Sequence, residues 1–127
     1  MFERLLISRM AGALASHAAG RQSVIARNVA NADTPGYKAM EVTPFADLVA
    51  DPGPRLAATR PGHLGDDGAL PGAESFRRGG EASPNGNDVS IEEEMIAAAE
   101  TRQSQDMALG IYRSVSAIMR SSLGRAS

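Results

Sequence analysis

The 127-residue sequence has no cysteine and no tryptophan, and only three phenylalanines and two tyrosines. Without cysteine there is no disulfide framework and no thiolate chemistry, although such a chain is compatible with a reducing or an oxidising compartment. With so few aromatics, the large side chains that dominate core burial are missing, and Ala, Gly and Pro take their place. This length supplies one domain at most, and a monomer built from these residues is marginal.

An excess of one charge is also lacking. The formal net charge is -2 with a pI of about 5.6, and acids and bases are interspersed along most of the chain, so no basic face is set up to neutralise phosphates and nucleic acid is excluded as a partner. No run approaches the ~20 apolar residues of a membrane span. The start, MFERLLISRMAGALASHAAG, fails as a secretory signal because Glu3 precedes the first Arg and Arg9 cuts the apolar run after Leu5, Leu6 and Ile7.

What is present is helical pattern at both ends. Over residues 2–32, at 100° per residue, Phe2, Leu6, Met10, Ala13, Leu14, Val24 and Ile25 share one broad arc, and Arg9, Ser16, Ser23 and Arg27 another. Pro35 and Gly36 stop this helix, and Thr34-Pro35-Gly36-Tyr37 fits a type II turn. A second helix is predicted over residues 90–123, opened by a capping-box spacing between Ser90 and Glu93. Its first apolar row is Ile91, Met95, Ala98, Leu109, Tyr112, Met119 and Leu123, and a second row, Ala108, Ile111, Val115 and Ile118, lies beside it. Two adjacent rows call for more than one neighbouring helix.

Between the helices, residues 41–87 hold six of the seven Pro and eight of the thirteen Gly. This zone reads as irregular, with weak strand signals and one short helix over residues 43–49, capped by Thr43 with Pro44 at its first position. The fold expected is mainly α: two long terminal helices paired as an antiparallel, coiled-coil-like hairpin, with a Gly/Pro-rich irregular middle segment.

Chemistry finds little footing. His17 and His63 are the only imidazoles and have no metal-ligand spacing, so His17 reads as a hydrogen-bonded packing residue. Glu92, Glu93 and Glu94 point in different directions on a helix and read as complementing its dipole. No glycine pattern cradles a phosphate, and nothing brings Ser, His and Asp together. No catalytic, cofactor or metal site is expected, and no small-molecule substrate. The unusual segment is ARNVANADTPGYK, where Asn28 and Asn31 stand three apart at a helix end. They are either local caps or amides that fix register between helices.

That segment resembles the N-terminal signature of flagellar basal-body rod proteins, in which N-x-x-N-x-x-T-P-G-[YF] closes an N-terminal helix. NGNDVSIEEEM resembles the stretch opening the C-terminal helix of the proximal-rod type. The uninterrupted NADTPGYK and the Thr59-Arg60-Pro61-Gly62-His63-Leu64 patch are similar to that type too. A sibling rod subunit with extra residues around the asparagine turn is the closest alternative. From a different class, a cytoplasmic helical export chaperone is the rival.

The resemblance implies a non-enzymatic structural subunit of the bacterial flagellum basal body. It divides the chain into residues 1–40 and 88–127, the two arms of an axial core domain, and the middle segment 41–87. It implies helical assembly with copies of itself and other rod subunits, contact with the membrane-ring base, its adaptor protein and the type III export gate, and a periplasmic location reached without a cleaved signal. It implies motility as the role, through torque transmission to hook and filament and a share in the export channel. The expected assembly interface is Leu6, Met10, Leu14, Val24, Ile25, Asn28, Asn31, Thr34, Pro35, Gly36, Tyr37, Met95, Leu109, Tyr112 and Met119.

Overall fold

The computed structural model describes residues 2–51 and 74–124. Helix α1 runs Phe2–Ala30, strand β1 Met40–Val42, helix α2 Phe45–Ala50, strand β2 Ser75–Arg77 and helix α3 Ile91–Gly124. At 1.5 Å per residue the two long helices measure about 44 and 51 Å. The Thr59–Leu64 patch and His63 lie outside the described residues.

The helices pair antiparallel, as the sequence led us to expect. The Arg4 guanidinium donates to Ser122 Oγ at 3.1 Å near one end of the pair, and Asn28 Nδ2 to Glu94 Oε1 at 3.2 Å near the other. The seam between them is a heptad row made mostly of small residues, with Ile25 and Glu94 towards the clasp end. Ala11, Ala18 and Ile25 of α1 are buried, and so are Glu94, Thr101, Ala108 and Val115 of α3. Seven-residue spacing is the coiled-coil repeat, and alanine at the contact lets the helix axes approach closely. Thr101 keeps the seam dry by returning its hydroxyl to the Ala97 carbonyl at 2.7 Å.

This assigns the faces differently from the bare periodicity. The first apolar row of α3 does not line the seam: Ile91, Met95, Leu109, Tyr112 and Leu123 are all exposed. Ala108 and Val115 of the second row are buried instead. Along α1, Phe2, Leu5, Leu6, Ile7 and Met10 are exposed as well. Close packing selects the small residues, and the bulky ones are left on the flanks.

The irregular middle zone holds more order than its composition suggested. β1 and β2 pair antiparallel, with Met40 opposite Arg77 and Val42 opposite Ser75. Three-residue strands are too short to leave a period-2 signal. Helix α2 starts later than expected and its N-cap is Pro44, with no side-chain cap bond. Thr43 does not cap it; its carbonyl meets His17 Nε2 at 2.7 Å. The ring of His17 also stacks obliquely on Phe45, with centroids 5.6 Å apart. His17 is thus the packing residue its position implied.

If the seam depends on small side chains, Ala18→Leu, at a site 1% exposed, overpacks it and costs about 1–3 kcal/mol. Urea unfolding followed by circular dichroism measures the loss.

Candidate functional site

The end of α1, the turn after it and the approach to α3 are bound into one clasp. The helix tightens as it ends, with Asn31 N–H donating to the Arg27 and Asn28 carbonyls and Ala32 N–H to Val29. The type II turn follows: Tyr37 N–H reaches the Thr34 carbonyl at 3.2 Å, and Gly36 has φ 74°. A side chain at that φ is strained, which is why the turn takes glycine.

Asn28 is the centre of the clasp and is fully buried. Its Oδ1 accepts from the Met40 N–H at 3.0 Å and the Tyr37 hydroxyl at 3.2 Å. Its Nδ2 donates to the Met40 carbonyl at 2.8 Å and to Glu94 Oε1. All four hydrogen-bonding positions of the amide are used. By taking both backbone groups of Met40, the side chain closes the edge of β1 as a neighbouring strand would. Asn31 plays the local part, its Nδ2 bonding the Arg27 carbonyl and its Oδ1 accepting from the Thr34 hydroxyl. The two readings left open for the asparagines thus divide between them, Asn31 capping locally and Asn28 fixing register between the chain's own helices.

From the other side comes Asn87, also buried. Its Nδ2 donates to the carbonyls of Asn31 and Thr34, both at 2.8 Å, and its Oδ1 accepts from Val89 N–H. The two turns touch at their glycines. Gly36 N–H bonds the Asn85 carbonyl, and a Cβ on Gly86 (φ 85°) would stand 3.4 Å from the Gly36 Cα. Lys38 Nζ caps the Gly86 carbonyl at 2.8 Å, and Asp88 Oδ1 accepts from Ala39 N–H.

Beneath the clasp is a charged cluster. Arg78, which follows β2, reaches Glu94 at 2.8 Å, Glu41 at 3.1 Å and Glu93 at 3.3 Å. Arg21 of α1 bridges Glu41 and Glu100 at 3.6 and 3.4 Å. Burial lowers the proton affinity of the Arg78 guanidinium. The charges of Glu94 and Glu41, and their hydrogen bonds, raise it by more, so its pKa stands above the ordinary arginine value. A raised basic pKa means that this contribution is complete at neutral pH and is lost on the alkaline side as pH rises through that value. Glu94 therefore does not serve the helix dipole as Glu92 does: it is buried at the seam and neutralised by Arg78. Glu93 departs in part as well. Its N–H takes Ser90 Oγ at 3.4 Å, but its carboxylate turns to Arg78, so only half of the capping box forms.

The residues expected at an assembly interface thus fall into three groups. Ile25 and Asn28 are buried inside the chain, so what they hold together is its own two helices. Leu14, Val24, Asn31, Tyr37 and Met119 are half-buried, and Thr34, Pro35 and Gly36 exposed on the clasp. Leu6, Met10, Met95, Leu109 and Tyr112 are exposed. On α3 the exposed row lies roughly 40–100° round the helix from the seam. The sequence does not single out Arg78 or Asn87, and it presents Glu94 as a dipole acid; the heptad phase that Glu94 shares with Thr101, Ala108 and Val115 is the signal of its buried place. Among the described residues no three acids or histidines converge on a metal-sized site. No helix there is long and apolar enough to cross a membrane.

A family model described as "Flagella basal body rod protein" matches residues 11–38. Those limits take in the seam residues Ala11, Ala18 and Ile25 together with Asn28 and the turn through Lys38. The flagellar basal body rod protein FlgB of Agrobacterium fabrum is 29% identical over 105 residues, covering 78% of each chain. The chain is similar to the flagellar basal body rod proteins over these spans. The matched span therefore takes in the α1 half of the clasp, where Asn28, Asn31 and Gly36 each hold hydrogen-bond partners. Both likenesses support a basal body rod subunit.

Removing Asn28 and removing Arg78 should differ in size. Asn28→Ala strands the Met40 backbone groups and costs about 1–3 kcal/mol. Arg78→Met leaves the Glu94 carboxylate buried without its cation and costs about 3–5 kcal/mol, while adding Glu94→Leu recovers most of that loss. Urea denaturation of the three variants checks the order.

Proposed function

We propose that the chain is a structural subunit of the proximal part of the flagellar rod, of the FlgB type, polymerising through the flanks of its two terminal helices. The observation that carries this reading is the mismatch between seam and surface. The helix pair is closed by alanines, threonine and valine, while Leu6, Met10, Met95, Ile96, Leu109 and Tyr112 stay in solvent. Scattered apolar residues are ordinary on a protein surface, but rows of them on long helices are what an interface covers. In a rod, neighbouring helices supply that cover. Each 100 Å² of apolar surface so buried contributes about 2.5 kcal/mol before ordering costs.

In this reading the assembled subunits pass torque from motor to hook and filament, and their helices line part of the export channel. Their partners are other rod subunits, the membrane-ring base with its adaptor, and the export gate. The chain reaches the periplasmic span through the flagellar type III system. The likeness to a rod protein over most of the chain supports the setting, and the exposed flanks support the mode of assembly.

Leu109→Asp, on the exposed flank, should leave the monomer's helicity and urea midpoint unchanged while abolishing swimming and recovery of the subunit in detergent-extracted basal bodies. Normal motility in this variant would remove the flank from the interface. Wild-type chain recovered only in the soluble cytoplasmic fraction would favour a chaperone over a rod subunit.

A further inference from the structure

The two ends of the helix pair differ in charge. In the segments 2–16 and 107–124, which make up the open end away from the clasp, Arg4, Arg9, Arg113 and Arg120 stand against Glu3 alone, and all five are exposed. Among the described residues Arg9, Arg113 and Arg120 have no carboxylate at ion-pair distance. Phe2, Leu6, Ile118 and Leu123 are exposed on the same end. The clasp half has the opposite sign on balance: Asp33, Asp47, Glu74, Glu81 and Glu92 are exposed there against the exposed Arg27 and Arg77, and among the described residues none of these acids pairs with a cation. It also carries an open groove of about 400 Å³ whose apolar walls include Leu14, Val42, Phe45 and Phe76, with Glu100 on its lining. Among the described residues that line the groove the one arginine or lysine is Arg21, already held by Glu41 and Glu100.

We propose that the basic, apolar open end of one copy seats on the acidic half of a neighbouring copy. Its large side chains enter the groove beside Phe45 and Phe76, and its arginines meet Asp47 and Glu100. The occupant is a second copy because one chain presents both surfaces, opposite in charge and alike in apolar character. Opposed potentials of this kind fix orientation and suppress wrong pairings. Two different surfaces meet head to tail, so the contact does not end at a two-fold dimer and passes from copy to copy, as a helical array requires. This deepens the rod-subunit reading and rests on it for its setting.

The absence of native cysteine makes the contact directly readable. One pool carries Leu6→Cys and a second Phe76→Cys, mixed and oxidised. The expected product is the mixed disulfide, in excess over either symmetric dimer. Its yield should fall several-fold as salt rises from about 0.05 to about 0.5 M, because the attraction is between exposed charges. Adding Arg9→Glu and Arg120→Glu to the first pool should abolish it. Adding Asp47→Lys and Glu100→Lys to the second should restore it. A dominant symmetric Leu6→Cys dimer, or a yield indifferent to charge reversal, would overturn the proposal. So would an open end that leaves protein for phosphatidylglycerol vesicles added to the mixture. The two readings fail separately: Arg9→Glu/Arg120→Glu subunits that enter basal bodies and support swimming sink this contact and leave the rod subunit standing. A chain absent from basal bodies sinks the rod subunit.

Discussion

The buried Asn28 amide, bonded to Met40 through both of its backbone groups, to Tyr37 and to Glu94, is the point through which the rest of the structure is referred. It fixes where α1 ends relative to β1, and through Glu94 it fixes the register of α3. Alanine seams alone set register weakly, because one small residue slides past the next at little cost. A polar group with every valence used does not slide, since moving it strands donors and acceptors away from water. The small-residue seam can therefore be close and smooth because the register is decided at one end.

The same division sets what the surface offers to the proposed assembly. Apart from Ile25 and Val115, the large hydrophobic side chains of the two long helices are left exposed or half-buried within the chain. They are left along the flanks, on a helix pair already held by hydrogen bonds, an arginine-carboxylate cluster and close backbone approach. A subunit that used its large residues internally would be more stable alone and would offer less to its neighbours. The clasp stabilises the fold without competing for them.

Much of this was legible in the sequence. Pro35 and Gly36 announce the end of α1, the Thr34–Tyr37 turn is the type that its residues require, and the two long helices follow from spacing. The faces were not legible. Periodicity weighs large apolar residues most, and here the buried seam is the alanine-rich row, which hydrophobic pattern undervalues. The strands are too brief to announce themselves, and their pairing depends on partners more than thirty residues apart. The asparagine segment was conspicuous as a motif, but its internal role was hidden, because the partners of Asn28 are a backbone unit twelve residues on and a glutamate in the other helix. Glu94 looked like one of three dipole acids until Arg78 was placed beside it.

The seam joins two helices that lie about sixty residues apart in the chain, α1 ending at Ala30 and α3 beginning at Ile91. Until α3 has been made, α1 has no helix to pair with, and closing so long a loop carries its entropic cost before any contact rewards it. The order of synthesis therefore sets the order of folding: a chain with this wiring cannot close its seam while that second arm is withheld.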